Sequence, residues 1–185
     1  MTRQAASTVV VGAHGTITHL LSQPSWDKWD AAVIMLSRLM AADAHVVAPA
    51  VARHLPEGND HLQEFTARRL DLERSLSALY DRVHGDARVA GLPLEVVQRQ
   101  TLATAGQYLT VRDELADRLF DRLDADTGAT IASRWSAAVT KAPTRPHPWL
   151  MGRRKQGAIA FHSARLWDRT RDLLDSRPTG SPSAT

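Results

Sequence analysis

The stretch that decides the fold runs from Asp60 to Val83, DHLQEFTARRLDLERSLSALYDRV. Leu62, Phe65, Arg69, Leu72, Leu76, Leu79 and Val83 recur at alternating spacings of three and four, the period of one helix face turned to a core. The intervening residues are mostly polar, so this reads as a long amphipathic helix. One member of the apolar seam is an arginine. The helix has clear limits: Leu55-Pro56-Glu57-Gly58-Asn59 forms a stop and a turn before it, and His84-Gly85 ends it.

Working outward, three more segments carry the same period. Ala5 to Leu21 puts Val10, His14, Ile17 and Leu21 on one stripe, although Val9-Val10-Val11, Gly12 and Gly15 are poor helix formers. A second helix follows Gln23-Pro24, with Ser25 as its N-cap and Asp27 in its first turn. It runs to Leu55 with Leu36, Leu39, Asp43, Val47 and Ala50 inward, and Pro49 is expected to kink it. Trp26 and Trp29 at its start are read as capping the bundle end. After Gly91-Leu92, Pro93 starts a helix reaching Leu123, with Thr101, Thr104, Tyr108, Val111 and Leu115 inward and Gln107 beside them.

Beyond these lies a shorter amphipathic helix, Asp126 to Lys141, with Ile131, Trp135 and Ala138 on one side. Three prolines hold Ala142 to Trp149 extended as a strap, and a last helix, Gln156 to Ser176, aligns Ile159, Leu166 and Leu173. The reading is therefore all-α. An up-down four-helix bundle occupies residues 1–124, and the strap and additional C-terminal helices, 125–176, pack on it. The Pro/Ser/Thr/Gly-rich tail, 177–185, is expected to be disordered.

Composition narrows the chemistry. A chain of 185 residues suits one domain with its own core, and no cysteine is present, which excludes disulfides, thiolate nucleophiles and iron–sulfur clusters. The net charge of +3 is small and scattered, with one dense run at Arg153-Arg154-Lys155. It lacks the basic stripe with interleaved aromatics of a nucleic-acid surface, so no nucleic-acid partner is expected. The N-terminus has no signal-peptide pattern and no continuous apolar run spans a bilayer; no membrane partner and a cytoplasmic location are the expectations. Gly12-Ala-His-Gly15 lacks the strand and spacing of a phosphate loop, and no serine has a nucleophile-elbow context.

Two segments carry a resemblance. Pro49-Ala-Val-Ala-Arg-His-Leu-Pro-Glu-Gly58 and Ala142-Pro-Thr-Arg-Pro-His-Pro148 are similar to bacterial proteins of the hemerythrin HHE cation-binding family. The likeness covers about Val9 to Pro148. It implies a four-helix bundle with two non-haem irons mid-bundle. The ligands come from a histidine on the first helix, a His-x-x-x-Glu pair on the second, a histidine on the third and a second such pair on the fourth. Residues at i and i+4 share a helix face, so each pair reaches one buried ion. Carried onto this chain, the positions fall on His14, then Leu39 and Asp43, then Arg69 (or Arg68), then Gln107 and Val111.

Only His14 and Asp43 keep an imidazole or carboxylate at these positions; leucine, valine and a permanently protonated guanidinium offer no lone pair. The resemblance thus implies a degenerate centre for which no cofactor is expected; His14 and Asp43, with Glu114 or His45, would be the ligands of any residual mononuclear site. We expect Arg69 to stand where the metal charge would be and to pair with Asp43, with His14 and Gln107 adding hydrogen bonds. The former metal position, lined by His14, Leu39, Asp43, Arg69, Gln107 and Val111, would then take a small molecule, or the bundle would serve protein interaction. Two alternatives stand beside this. One is a non-haem iron protein with an altered ligand set, acting on oxygen, nitric oxide or peroxide. The other is a metal-independent enzyme with Asp43, Arg69 and Tyr108 as acid, electrostatic stabiliser and hydroxyl donor.

Overall fold

A computed structural model describes residues 3–56, 58–84 and 92–142, and within them the chain is entirely helical. The helices are α1 (Arg3–Val11), α2 (His14–Ser22), α3 (Trp26–Ala42), α4 (Ala48–His54), α5 (Gly58–His84), α6 (Leu94–Arg122) and α7 (Ala125–Lys141). A single π turn, Asp43–Val47, joins α3 to α4 without a break. The proline-rich strap, the expected last helix and the tail lie outside the described residues.

Most of the Asp60–Val83 seam is buried as expected: Phe65, Leu72, Leu76 and Leu79 are each at most 1% exposed, and Leu62 and Val83 at its ends are partly buried. Complete burial of such side chains contributes about 1.5–3 kcal/mol each. Helix α5 packs along α6. His61 meets Arg118, Arg68 meets Gln107, Ser75 meets Thr101 and Arg82 meets the Leu92 carbonyl. The contacts advance on one helix as they retreat on the other, so the pair is antiparallel.

The first expected helix is interrupted. Between α1 and α2, the Gly12 amide bonds the Thr8 carbonyl at 2.9 Å, and a Cβ on Gly12 would lie 2.9 Å from that same oxygen. The close approach needs glycine, and with the valine run it explains why helix formation falters here. Ser25 does occupy the N-cap of α3, but its hydroxyl makes no capping bond. Its carbonyl accepts from the Lys28 and Trp29 amides instead. The Trp29 indole donates to the Gln23 carbonyl at 3.0 Å and closes the connection from α2.

Pro49 acts one turn upstream of its own position. Proline has no amide hydrogen and its ring crowds the carbonyl four residues back. The helix accommodates this by widening: the Ala48 amide reaches Asp43 O, five residues back. By length and composition the continuous helix Trp26–His54 could cross a membrane, yet 72% of its most apolar window is buried inside the protein. Helix α7 is also part of the core. Asp124 caps it, accepting from the Thr127 amide at 2.8 Å and the Asp126 amide at 3.1 Å. The helix packs on α1, α3 and the π turn through Ile131, Ala132 and Trp135.

Candidate functional site

The buried charges meet where α1, the π turn, α6 and α7 converge. Asp43, the first residue of the π turn, is 0% exposed. Its Oδ2 accepts from the Tyr108 hydroxyl at 2.6 Å and from Arg112 Nε at 2.7 Å. Its Oδ1 accepts from the Trp135 indole at 2.7 Å. Tyr108 and Arg112 are i and i+4 on α6, which puts both on the face turned to Asp43. Three donors therefore occupy a carboxylate that would otherwise be very costly to bury.

Arg112 is likewise 0% exposed. Its Nη1 donates to Asp113 Oδ1 at 2.8 Å, and its Nη2 donates to the Val10 carbonyl. That carbonyl lies in the last turn of α1, where backbone oxygens lack an intrahelical donor and the helix dipole is negative. The face of Trp135 completes the enclosure, with its ring centre 5.4 Å from the guanidinium carbon. Burial alone would lower the Arg112 pKa, but Asp43, Tyr108 and Asp113 together raise it above the ordinary arginine value. Burial, then the Asp43 charge, pushes the Tyr108 hydroxyl well above its usual 10.0. The site therefore holds an aspartate–arginine ion pair with a neutral tyrosine.

At its edge the network reaches solvent. Asp113 Oδ2 lies 2.6 Å from His14 Nδ1, and the His14 side chain is 37% exposed. The bonded chain runs His14, Asp113, Arg112, Asp43, then Tyr108 and Trp135.

The structure gathers some of the expected residues and scatters others. Asp43 and Tyr108 meet directly, and Leu39 is buried nearby on α3 at 2% exposure. His14 reaches the cluster only through Asp113. Gln107 faces outward and accepts from Arg68 Nη1 at 3.3 Å, and Val111 is only partly buried. Arg69 does not pair with Asp43. It is buried, but its Nη1 lies 3.9 Å from Glu73 Oε2, one turn along the same helix, and makes no hydrogen bond. Arg112 pairs with Asp43 instead: on α6 Thr101, Tyr108 and Leu115 are buried as expected, but Arg112 turns inward where Val111 was expected and Thr104 and Val111 are only partly buried. The buried line of α6 is Thr101, Ala105, Tyr108, Arg112, Leu115 and Leu119.

Arg112, Asp113 and the indole donor of Trp135 were thus missed. A signal was present: Thr101 to Leu119 has the same three-and-four spacing as α5, with an arginine in the middle of the line.

The donor set fits iron poorly. Both Asp43 oxygens are engaged, and a guanidinium cannot vacate its place by losing a proton. Glu114 and His45 are exposed. Among the described residues, no three His, Asp or Glu side chains stand together as a metal site. The alternative acid–hydroxyl pair is closed to solutes, since Asp43 and Tyr108 are both 0% exposed and Arg69 only 7%. What this arrangement does is hold charge in place and tie helices together. No protein-family model, no curated protein and no solved structure matches the chain.

Proposed function

We propose that this chain is a hemerythrin-like bundle that works without metal, with a fixed side-chain ion pair at its centre, and that it acts as a binding module rather than a catalyst. One observation carries the reading: both oxygens of Asp43 are taken by Arg112, Tyr108 and Trp135. Arg112 supplies the positive charge that iron would supply in the proteins this sequence resembles. The register supports it. The fourth-helix ligand pair falls on Gln107 and Val111, and one residue along are Tyr108 and Arg112, the i and i+4 pair that bonds Asp43. Asp43 itself is the one second-helix ligand position that keeps a carboxylate.

A centre filled by side chains stabilises the scaffold and leaves recognition to the surface. Metal analysis of the purified protein, with a visible spectrum and melting curves with and without a chelator, tests this. We expect substoichiometric metal, no oxo-bridged iron absorption and an unchanged Tm. Two tightly held irons per chain, lost on Asp43→Ala, would overturn the reading.

A further inference from the structure

Where the π turn and α4 meet α7, the surface holds a small groove of about 100 Å3. Its polar lining is His45, Arg53, His54 and Arg134, and Pro49 and Ile131 belong to its apolar lining. Among the described residues no carboxylate lines it. Its neighbours in sequence belong to the buried network: His45 is two residues past Asp43, and Arg134 precedes Trp135. The hydrogen bond from the Trp135 indole to Asp43 ties the π turn to α7 and so holds the two walls of the groove together.

From this arrangement we propose that the groove binds a compact organic oxyanion, a phosphate or carboxylate head on a short apolar stem. Two arginines and two imidazoles of one potential sign converge on a space that holds several water volumes, enough for one such head group. On α5, Arg74 and Arg68 have local carboxylate partners, Asp71 and Glu64. Arg53, His54 and Arg134 form no ion pair among the described residues, so their clustering is not explained by internal pairing. Complementing the C-terminal dipole of α4 accounts for Arg53 and His54 but not for Arg134, which projects from the middle of α7. A bound oxyanion would supply the missing negative charge, with the apolar lining covering its stem.

The test is an NMR titration of the full chain at constant ionic strength, following the histidine ring signals. Inorganic phosphate, monobutyl phosphate and butyrate are the probes, with chloride as the control. Saturable shifts confined to His45 and His54 are expected, with tighter binding of monobutyl phosphate than of inorganic phosphate. Preference between monobutyl phosphate and butyrate identifies the head group. Arg53→Ala and Arg134→Ala, both on exposed side chains, should each weaken binding about tenfold or more, and Arg74→Ala should not. Non-saturating shifts spread equally over His19 and His61, or affinity untouched by either groove variant, would overturn the proposal. Equal binding of inorganic and butyl phosphate would remove the apolar stem from it. No metal enters the measurement, so its failure is distinct from failure of the metal-free reading.

Discussion

Asp43 with Arg112 and Glu73 with Arg69 are both arginine–carboxylate pairs buried among the described residues, and they differ in how they are held. Arg112 reaches Asp43 at 2.7 Å across a sequence separation of 69 residues. Its other nitrogens bond Asp113 and the Val10 carbonyl, while Tyr108 and Trp135 complete the carboxylate. Arg69 and Glu73 sit one turn apart on α5 at 3.9 Å, and Arg69 Nη1 has no hydrogen bond. Desolvating a charge is repaid only when geometry and further hydrogen bonds are good. The first pair meets that condition and joins four parts of the fold; the contact between Arg69 and Glu73 is long and lies within one helix.

The largest expected effect follows from this contrast. Arg112→Ala should cost about 3–5 kcal/mol in denaturant unfolding, because it strands the Asp43 carboxylate in the core. Arg69→Ala should cost clearly less, since no close hydrogen bond is lost. Equal losses would erase the distinction between the two sites. Next comes Trp135→Phe, which keeps an aromatic ring but removes the donor to Asp43 Oδ1; a loss of about 1–3 kcal/mol is expected.

Tyr108→Phe should cost somewhat less, about 1–2 kcal/mol, and it adds a pH signature. The folded pKa of Tyr108 is held well above the 10.0 of an ordinary tyrosine. As pH rises past that value, the unfolded chain releases the proton and the folded chain does not, so stability falls. The wild type should lose stability above about pH 10 by an amount that the phenylalanine variant lacks, as read from urea midpoints between pH 9 and 11. The smallest effect is expected far from both sites, at Asp124. Hydrogen bonds from the Thr127 amide and hydroxyl lower its pKa below 3.8. Its contribution is therefore present above that value and lost as pH falls through the folded pKa. Asp124→Ala should lower Tm slightly at pH 7 and not at all in strong acid.

The same contrast explains what the sequence revealed. On α5 the apolar seam was nearly pure, so Leu72, Leu76 and Leu79 could be placed from spacing alone. On α6 the buried line contains Thr101, Tyr108 and Arg112, and polarity pointed to Val111 instead of its neighbour. A charged residue reads as solvent-facing until its partner is known, and here the partner lies on another helix. Asp43 was legible because it interrupts an apolar run. Trp135 was correctly put on a packed face, but its bond to a residue 92 positions away carries no local mark. Pro49 announced a distortion without saying that the turn before it would widen to a π turn. The break at Gly12 was foreshadowed by weak helix formers, whereas the capture of the Val10 carbonyl by Arg112 was not.

A double-mutant cycle on Asp43 and Arg112 reaches the centre most directly, using Asp43→Ala, Arg112→Ala and both together in equilibrium unfolding. The double variant should be much less destabilised than the sum of the single ones, leaving a coupling of several kcal/mol, on the order of 3. The same cycle on Asp43 and Arg69 should give little. Additive losses at Asp43 and Arg112 would contradict a fixed ion pair at the core of this fold.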